Sequence, residues 1–86
     1  MKLYRILTEA KNATAVEKLV GEYFPGYSVL YQDGFWKGSK ERSMVIEVMT
    51  AEADYFMVKQ IAEQIKISNA QEAVLVQILD VESEMI

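Results

Sequence analysis

The sequence predicts an α+β fold in which one antiparallel sheet of four strands packs against two helices. Segments that alternate apolar and polar residues are interleaved with segments of helical periodicity, and their order along the chain is βαββαβ. Two right-handed crossovers within one sheet give the strand order 4-1-3-2 and place both helices on the same face. The expected architecture is therefore the ferredoxin-like sandwich.

The first strand and the first helix account for the amino-terminal part of the chain. Residues 2–8 (KLYRILT) read as a strand. Thr14 and Glu17 have the spacing of a capping box that begins the helix, and Pro25-Gly26 ends it. Between these signals one apolar stripe recurs at three- and four-residue steps, formed by Val16, Leu19, Val20, Tyr23 and Phe24.

Two further strands are predicted at residues 27–32 (YSVLYQ) and 43–50 (SMVIEVMT). The connection 33–42 (DGFWKGSKER) permits a tight turn at Asp33-Gly34 or a longer hairpin that turns at Gly38-Ser39. We favour the longer hairpin, because Phe35-Trp36 is typical of a strand.

The second helix and the last strand complete the fold. Thr50 is a plausible cap for a helix over about residues 51–67, and Asn69 suits the left-handed residue that closes it. The last strand is predicted at residues 72–80. The helix stripe consists of Tyr55, Val58, Ile61, Ala62 and Ile65.

Composition limits the function as well as the fold. The 86 residues suffice for a single domain, residues 1–86, with an acidic tail from about residue 81. The absence of His and Cys excludes disulfides, zinc fingers, thiol nucleophiles and Ser-His-Asp triads. No segment has the about 20 apolar residues of a membrane span. We expect a cytoplasmic protein without cofactor or metal, and a function more typical of binding than of catalysis.

The sheet face opposite the helices is predicted to be too apolar to remain in water. We expect a second copy to cover it, giving a homo-oligomer; the alternative is that Met85 and Ile86 of the tail fold over it. Across this face Arg5, Glu47 and Gln77 should form one polar row, either as an ion pair within an interface or as a binding feature. The predicted oligomer interface consists of Leu3, Leu7, Val45, Met49, Leu75 and Leu79.

The connection 33–42 is the second candidate site. Its basic and aromatic side chains suit a small anionic, nucleotide-like ligand or a protein partner, whereas the alternative is a solvated hairpin whose tryptophan packs on a strand. Extended nucleic acid is disfavoured, because the net charge is −4 and the open face lacks paired aromatic residues. The predicted binding residues are Phe35, Trp36, Lys37, Lys40 and Arg42.

The segment Gly34-Phe-Trp-Lys-Gly38, followed by Glu41-Arg-Ser43 and MVIEV, resembles a group of small uncharacterised proteins of bacteria, phages and mobile elements. These proteins share a G-aromatic-W-K-G…E-x-S signature, and the resemblance covers about the last two thirds of the chain. It implies a ferredoxin-like fold, no established activity, and the cytoplasm of a bacterial host. A phage origin implies host-defence antagonism, including the capture of nucleotide signals.

Three hypotheses about function follow. The first is a non-enzymatic, homo-oligomeric binding protein, in its most specific form an anti-defence protein that sequesters a nucleotide-like ligand. The second is an enzyme of the dimeric α+β barrel type that uses Arg5 and Glu47 in a pocket on the sheet face. The third is an inhibitor that docks on a host protein through the 33–42 hairpin.

Overall fold

The computed structural model describes residues 1–86 and shows the predicted ferredoxin-like fold. The strands are β1 (Lys2–Glu9), β2 (Ser28–Trp36), β3 (Ser39–Thr50) and β4 (Leu75–Asp80). The helices are α1 (Ala13–Tyr23) and α2 (Tyr55–Ser68), the latter preceded by a 3₁₀ turn at Glu52–Asp54. All neighbouring strands are antiparallel and lie in the order β2-β3-β1-β4, which confirms the predicted topology.

No helix of the structure is long and apolar enough to cross a membrane.

The core lies between the helices and one face of the sheet. Tyr4 and Ile6 of β1 and Ile46 of β3 are almost completely buried there. Both helices contribute most of their predicted stripes, with Val16 and Val20 from α1 and, from α2, the residues Val58, Ile61, Ala62 and Ile65. Tyr55, the first residue of the predicted α2 stripe, is instead 40% exposed. Burial of each large apolar side chain contributes about 1.5–3 kcal/mol, so this cluster is the main stabilising feature of a small domain.

The β2–β3 hairpin is the long one that the sequence favours. Its two-residue turn is Lys37-Gly38, and both residues have positive φ values of 49° and 80°, as a type I′ turn requires. The turn lies one residue earlier than predicted. Gly34 is paired with Glu41 inside the ladder, so the alternative turn at Asp33-Gly34 does not form. Because β1 pairs with β3 only as far as Ser43, the tip of the hairpin extends beyond the rest of the sheet.

The predicted capping box of α1 is wrong. The helix begins at Ala13, and Asn12 precedes it in the left-handed conformation without a capping bond from its side chain. Thr14 therefore lies inside the first turn, where its hydroxyl cannot cap the helix. The Asn12 amide is used elsewhere, because Nδ2 donates to Asn69 Oδ1 at 2.9 Å.

The prediction that Asn69 takes the left-handed conformation at the end of α2 is also wrong. Asn69 has φ −96°, whereas Ala70 has φ 51°. The amide of Ala70 donates to the Ile67 carbonyl and that of Gln71 to the Lys66 carbonyl, which is the Schellman arrangement. Asn69 is buried instead, and its Nδ2 donates to the Lys11 carbonyl at 2.9 Å. It thus joins the end of α2 to the segment that precedes α1.

Candidate functional site

The sheet face opposite the helices, here called the open face, carries three rows of side chains that cross the strands. The pairing registers define their members. The first apolar row is Leu30, Val45, Leu7 and Leu75. The polar row is Ser28, Glu47, Arg5 and Gln77. The second apolar row is Met49, Leu3 and Leu79.

Exposure differs strongly among the six apolar residues that were predicted for this face. Val45 is completely buried by its neighbours in the sheet, and Leu3 and Leu7 are partly buried. Three others remain between 42% and 55% exposed, namely Met49, Leu75 and Leu79. Leu30, which the sequence analysis did not assign to this face, is 47% exposed beside Val45.

The acidic tail leaves most of the open face uncovered. Ser83 Oγ donates to Met49 Sδ at 2.9 Å, so the tail touches the second apolar row at one point. Met85 and Ile86, the residues of the alternative prediction, are fully exposed. In this structure the tail therefore does not shield the face from water.

The polar row is a connected hydrogen-bond network. Arg5 Nε donates to Glu47 Oε2 at 3.1 Å, and Arg5 Nη1 donates to Gln77 Oε1 at 2.8 Å. The side chains of Arg5 and Glu47 are about one-third exposed. A charged pair between two apolar rows is costly to desolvate, and here both partners of Arg5 are supplied by the neighbouring strands.

A cleft of about 250 Å³ lies beside the first apolar row, between the open face and the inner side of the β2–β3 hairpin. Leu7 and Leu75 belong to both the row and the cleft. The polar part of its lining includes Glu9, Gln32, Glu41, Ser43, Gln71 and Glu72, and the hairpin contributes Gly34 and Trp36. The volume is close to the lower limit of small-molecule sites, which are about 300–1,000 Å³.

The hairpin is connected to the opposite side of the cleft through Glu72, in the α2–β4 connection. Trp36 Nε1 donates to Glu72 Oε2 at 3.1 Å, and Lys37 Nζ donates to Glu72 Oε1 at 2.6 Å. These bonds to Lys37 and then Trp36 hold the pKa of the Glu72 carboxyl below its ordinary value. The side chains of Trp36, Lys37 and Glu72 are all well exposed. Their contact therefore bridges the cleft but adds little to the stability of the fold.

Two carboxylates lie next to each other within the cleft. Burial raises the pKa of the Glu41 carboxyl, and the charge of neighbouring Glu9 and a hydrogen bond with it raise it further. Neither residue has a Lys or Arg partner within salt-bridge distance. No group of three or more acidic residues is arranged to hold a metal ion.

Gly34 lines the cleft at a position where an added side chain would meet Ser43. A Cβ at this position would lie 2.4 Å from Ser43 Oγ, so any side chain there would displace Ser43 and occupy the cleft. The glycine thus keeps the inner side of the hairpin open between Trp36 and Gln32, which lie on the same side two residues away in either direction.

The hairpin residues that were predicted to bind together are divided between its two sides. Trp36 faces the cleft, and Lys37 lies at its rim. Lys40 and Arg42 belong to the opposite side, where Lys40 Nζ is 3.5 Å from Asp33 Oδ2 and Arg42 lies over the Tyr31 ring. Phe35 also belongs to the lining of the cleft, although its side chain is 74% exposed and the alternation along β2 directs it away from Trp36.

The sequence analysis missed most of the polar lining of the cleft. Glu9, Gln32, Glu41 and Ser43 could be found from the two-residue alternation once the hairpin is taken as long, because all four then share the side of Trp36. Gln71 and Glu72 could not be found in this way. They lie in a connection whose path depends on how α2 ends.

Comparisons with known proteins show the fold and give no family assignment. No protein-family model matches the chain, and no curated protein matches it. Among solved structures, a DUF3240 family protein from Shewanella baltica OS155 has a TM-score of 0.77 at 11% identity, covering 99% of this chain and 93% of that one.

Two further structures are similar over nearly the whole chain. A phage SAM lyase in the apo state has a TM-score of 0.72 at 18% identity, covering 91% of this chain and 78% of that one. CPII, a nitrogen regulatory PII-like protein from Thiomonas intermedia K12 bound to ADP, AMP and bicarbonate, has a TM-score of 0.71 at 15% identity, with 99% and 93% covered. At these identities the similarity establishes the ferredoxin-like fold alone.

Proposed function

We propose that this protein is a homo-oligomeric binding protein that takes a small nucleoside-type ligand in the cleft beside its open face. The observation that carries the proposal is the position of the cleft. Leu7 and Leu75 belong at once to the cleft wall and to an exposed apolar row. A second copy on the open face would therefore complete the wall of the ligand site.

The pattern of the open face is complementary to itself. Place a two-fold axis parallel to the strands and between β1 and β3, so that two copies pack face to face. Each apolar row of one copy then meets the same row of the other copy. In the polar row, Arg5 of each copy faces Glu47 of the other. The ion pair within each subunit would become part of a four-membered network, which sets the register of the interface.

The face-to-face arrangement would also remove exposed apolar side chains from water. Leu30, Met49, Leu75 and Leu79 are each 42–55% exposed, and contiguous apolar surface of this kind is rare in soluble monomers. Because the axis runs along the strands, the two clefts would lie opposite each other and share one chamber.

The nucleoside class is supported by the aromatic wall and by the comparisons. The Trp36 ring can stack on a planar base. The side-chain amides of Gln32 and Gln71 and the Ser43 hydroxyl, which also line the cleft, can bond to the polar edges of that base. One of the similar proteins is bound to ADP and AMP, and another is named as a SAM lyase. ADP, AMP and SAM are all adenosine compounds. The cellular role that we attach to this proposal is sequestration of such a compound by a phage-type anti-defence protein.

A matched pair of variants tests the assembly. Leu79→Glu places a carboxylate in the second apolar row, and Ile67→Glu places one at a 79% exposed apolar position of α2. By native mass spectrometry we expect the wild type and Ile67→Glu to be dimers or larger, and Leu79→Glu to be a monomer. A monomeric wild type would refute the assembly.

The same spectra test ligand capture. Protein purified from cells under gentle conditions should retain a small molecule, and denaturation should release it with the mass of a nucleoside compound. Gly34→Ala, which adds a methyl group to the cleft wall against Ser43, should keep the oligomer and lose the retained molecule. If Gly34→Ala retains it, the ligand site lies elsewhere.

An enzyme is the second candidate function, and one observation favours it. The raised pKa of Glu41 is typical of a carboxyl that exchanges a proton at a binding site. Arg5 and Glu47, the pair named by the sequence, are bonded to each other and lie outside the cleft lining. Turnover of an added adenosine compound, lost in Glu41→Gln, would favour this candidate over sequestration.

A further inference from the structure

We infer that the ligand of the cleft is a small organic cation with a planar body, an inference that rests on the ligand site proposed above. The cleft is a shaped cavity with an aromatic wall at Trp36 and an apolar floor at Leu7 and Leu75. Its polar lining includes Glu9, Glu41 and Glu72, but neither Lys nor Arg. The lining therefore carries negative charge and suits a cation, whereas the basic residues of the hairpin suggest an anionic ligand.

Two of the three basic residues of the hairpin are held on its outer side, and the third is paired at the rim of the cleft. Lys40 lies near Asp33, and Arg42 lies over the Tyr31 ring on the outer side of the hairpin. Lys37 at the rim is bonded to Glu72. A phosphate inside the cleft would meet carboxylates without a compensating cation, and the interaction would be repulsive.

Glu9 and Glu41 provide the charge that a cation would balance. The two carboxylates are neighbours and have no cationic partner within the protein. An ammonium or sulfonium group placed between them would supply that partner. The Trp36 ring in the same wall already has a cation near it, because Lys37 Nζ lies 5.9 Å from the ring centroid.

A metal ion does not satisfy the same site. The acidic residues are not arranged to hold one, and five of the thirteen lining residues are apolar or aromatic. A hard cation gains nothing from such a wall, whereas an organic cation buries its apolar body against Leu7, Leu75 and Trp36.

Two adenosine derivatives that differ in charge test the inference. The probes are 5′-amino-5′-deoxyadenosine, which is a cation at neutral pH, and AMP, which is an anion. The single tryptophan of the chain lies in the cleft wall, so its fluorescence reports binding, with calorimetry as a second measurement. We expect saturable binding of the amine and an affinity for AMP that is lower by at least about tenfold.

Charge-removing variants connect the result to the carboxylates. The double variant Glu9→Gln/Glu41→Gln should weaken binding of the amine by about tenfold or more and narrow its preference over AMP. Glu63→Gln, on the exposed side of α2, is the matched control and should change neither. Affinity for the amine should also fall as the pH is lowered through the raised pKa of Glu41, because protons then compete with the ligand.

The outcomes separate this inference from the proposed function. Binding of AMP but not of the amine would overturn the inference and leave the nucleoside site standing. Unchanged affinity in the Glu9→Gln/Glu41→Gln variant would also overturn it. Failure of both probes together with neutral adenosine, in a wild type that retains no small molecule, would overturn the ligand site itself.

Discussion

Asn69 shows how one side chain can decide the ends of two helices. Its backbone closes α2, and its amide bonds to the Lys11 carbonyl and to the Asn12 side chain. Lys11 Nζ in turn donates to the Asn69 carbonyl at 2.7 Å. Because Asn69 is held by these bonds in a right-handed conformation, the left-handed conformation falls to Ala70. The sequence offers the residue type that suits this position, but only the partners of its amide show that it is used differently.

The Asn69→Ala variant should lower the free energy of unfolding by about 1–3 kcal/mol. The substitution leaves the Lys11 carbonyl without the donor that buried Asn69 provides, and it removes the acceptor of the Asn12 amide. Urea denaturation measures the change, and Ser68→Ala, at the exposed end of α2, is the control. Equal stability of the two variants would show that the amide bonds contribute nothing net.

At the scale of elements, the long β2–β3 hairpin creates the cleft. Its tip extends past the last pair of β1 and β3, at Glu9 and Ser43, and is bonded to Glu72 through Trp36. A short turn at Asp33-Gly34 would leave Trp36 on a loop and provide no inner wall. The I′ turn at Lys37-Gly38 therefore positions the site as well as the strands.

Gly38→Ala should destabilise the hairpin by about 1 kcal/mol, because φ is 80° at this position and an L side chain is disfavoured there. Gly26→Ala is the matched control. An added Cβ meets nothing within 4 Å at either glycine, and only Gly38 has a positive φ. Thermal unfolding should show a lower midpoint for Gly38→Ala than for Gly26→Ala, and the reverse order would contradict the turn assignment.

At the scale of the whole molecule, an acidic body carries an open apolar face that the chain does not cover itself. The helices bury the other face of the sheet with one continuous core. The tail after β4 continues the β1–β4 ladder only through the bond from the Val81 amide to the Met1 carbonyl, at 3.2 Å. The residues of this chain therefore leave part of the open face exposed to water.

Removal of residues 82–86 should leave both the unfolding midpoint and the subunit number unchanged. The reason is that Met85 and Ile86 are fully exposed and that the tail reaches the open face only at Met49. Differential scanning calorimetry and sedimentation velocity measure the two quantities. A larger assembly after truncation would indicate that the tail shields the face, as in the alternative reading of the sequence.

The sequence by itself determined the βαββαβ order, the strand order, both helix stripes and the pairing of Arg5 with Glu47 and Gln77. The elements and their faces follow from side-chain periodicity, which is a local property, and the strand order follows from the right-handedness of the crossovers. Only the tertiary structure decided which side of the hairpin each residue takes, where Glu72 lies, and that the cleft is lined by carboxylates. The physical reason is that the cleft joins β1, the hairpin and the α2–β4 connection. Their distances are set by a turn one residue from its predicted place and by a helix end that depends on Asn69.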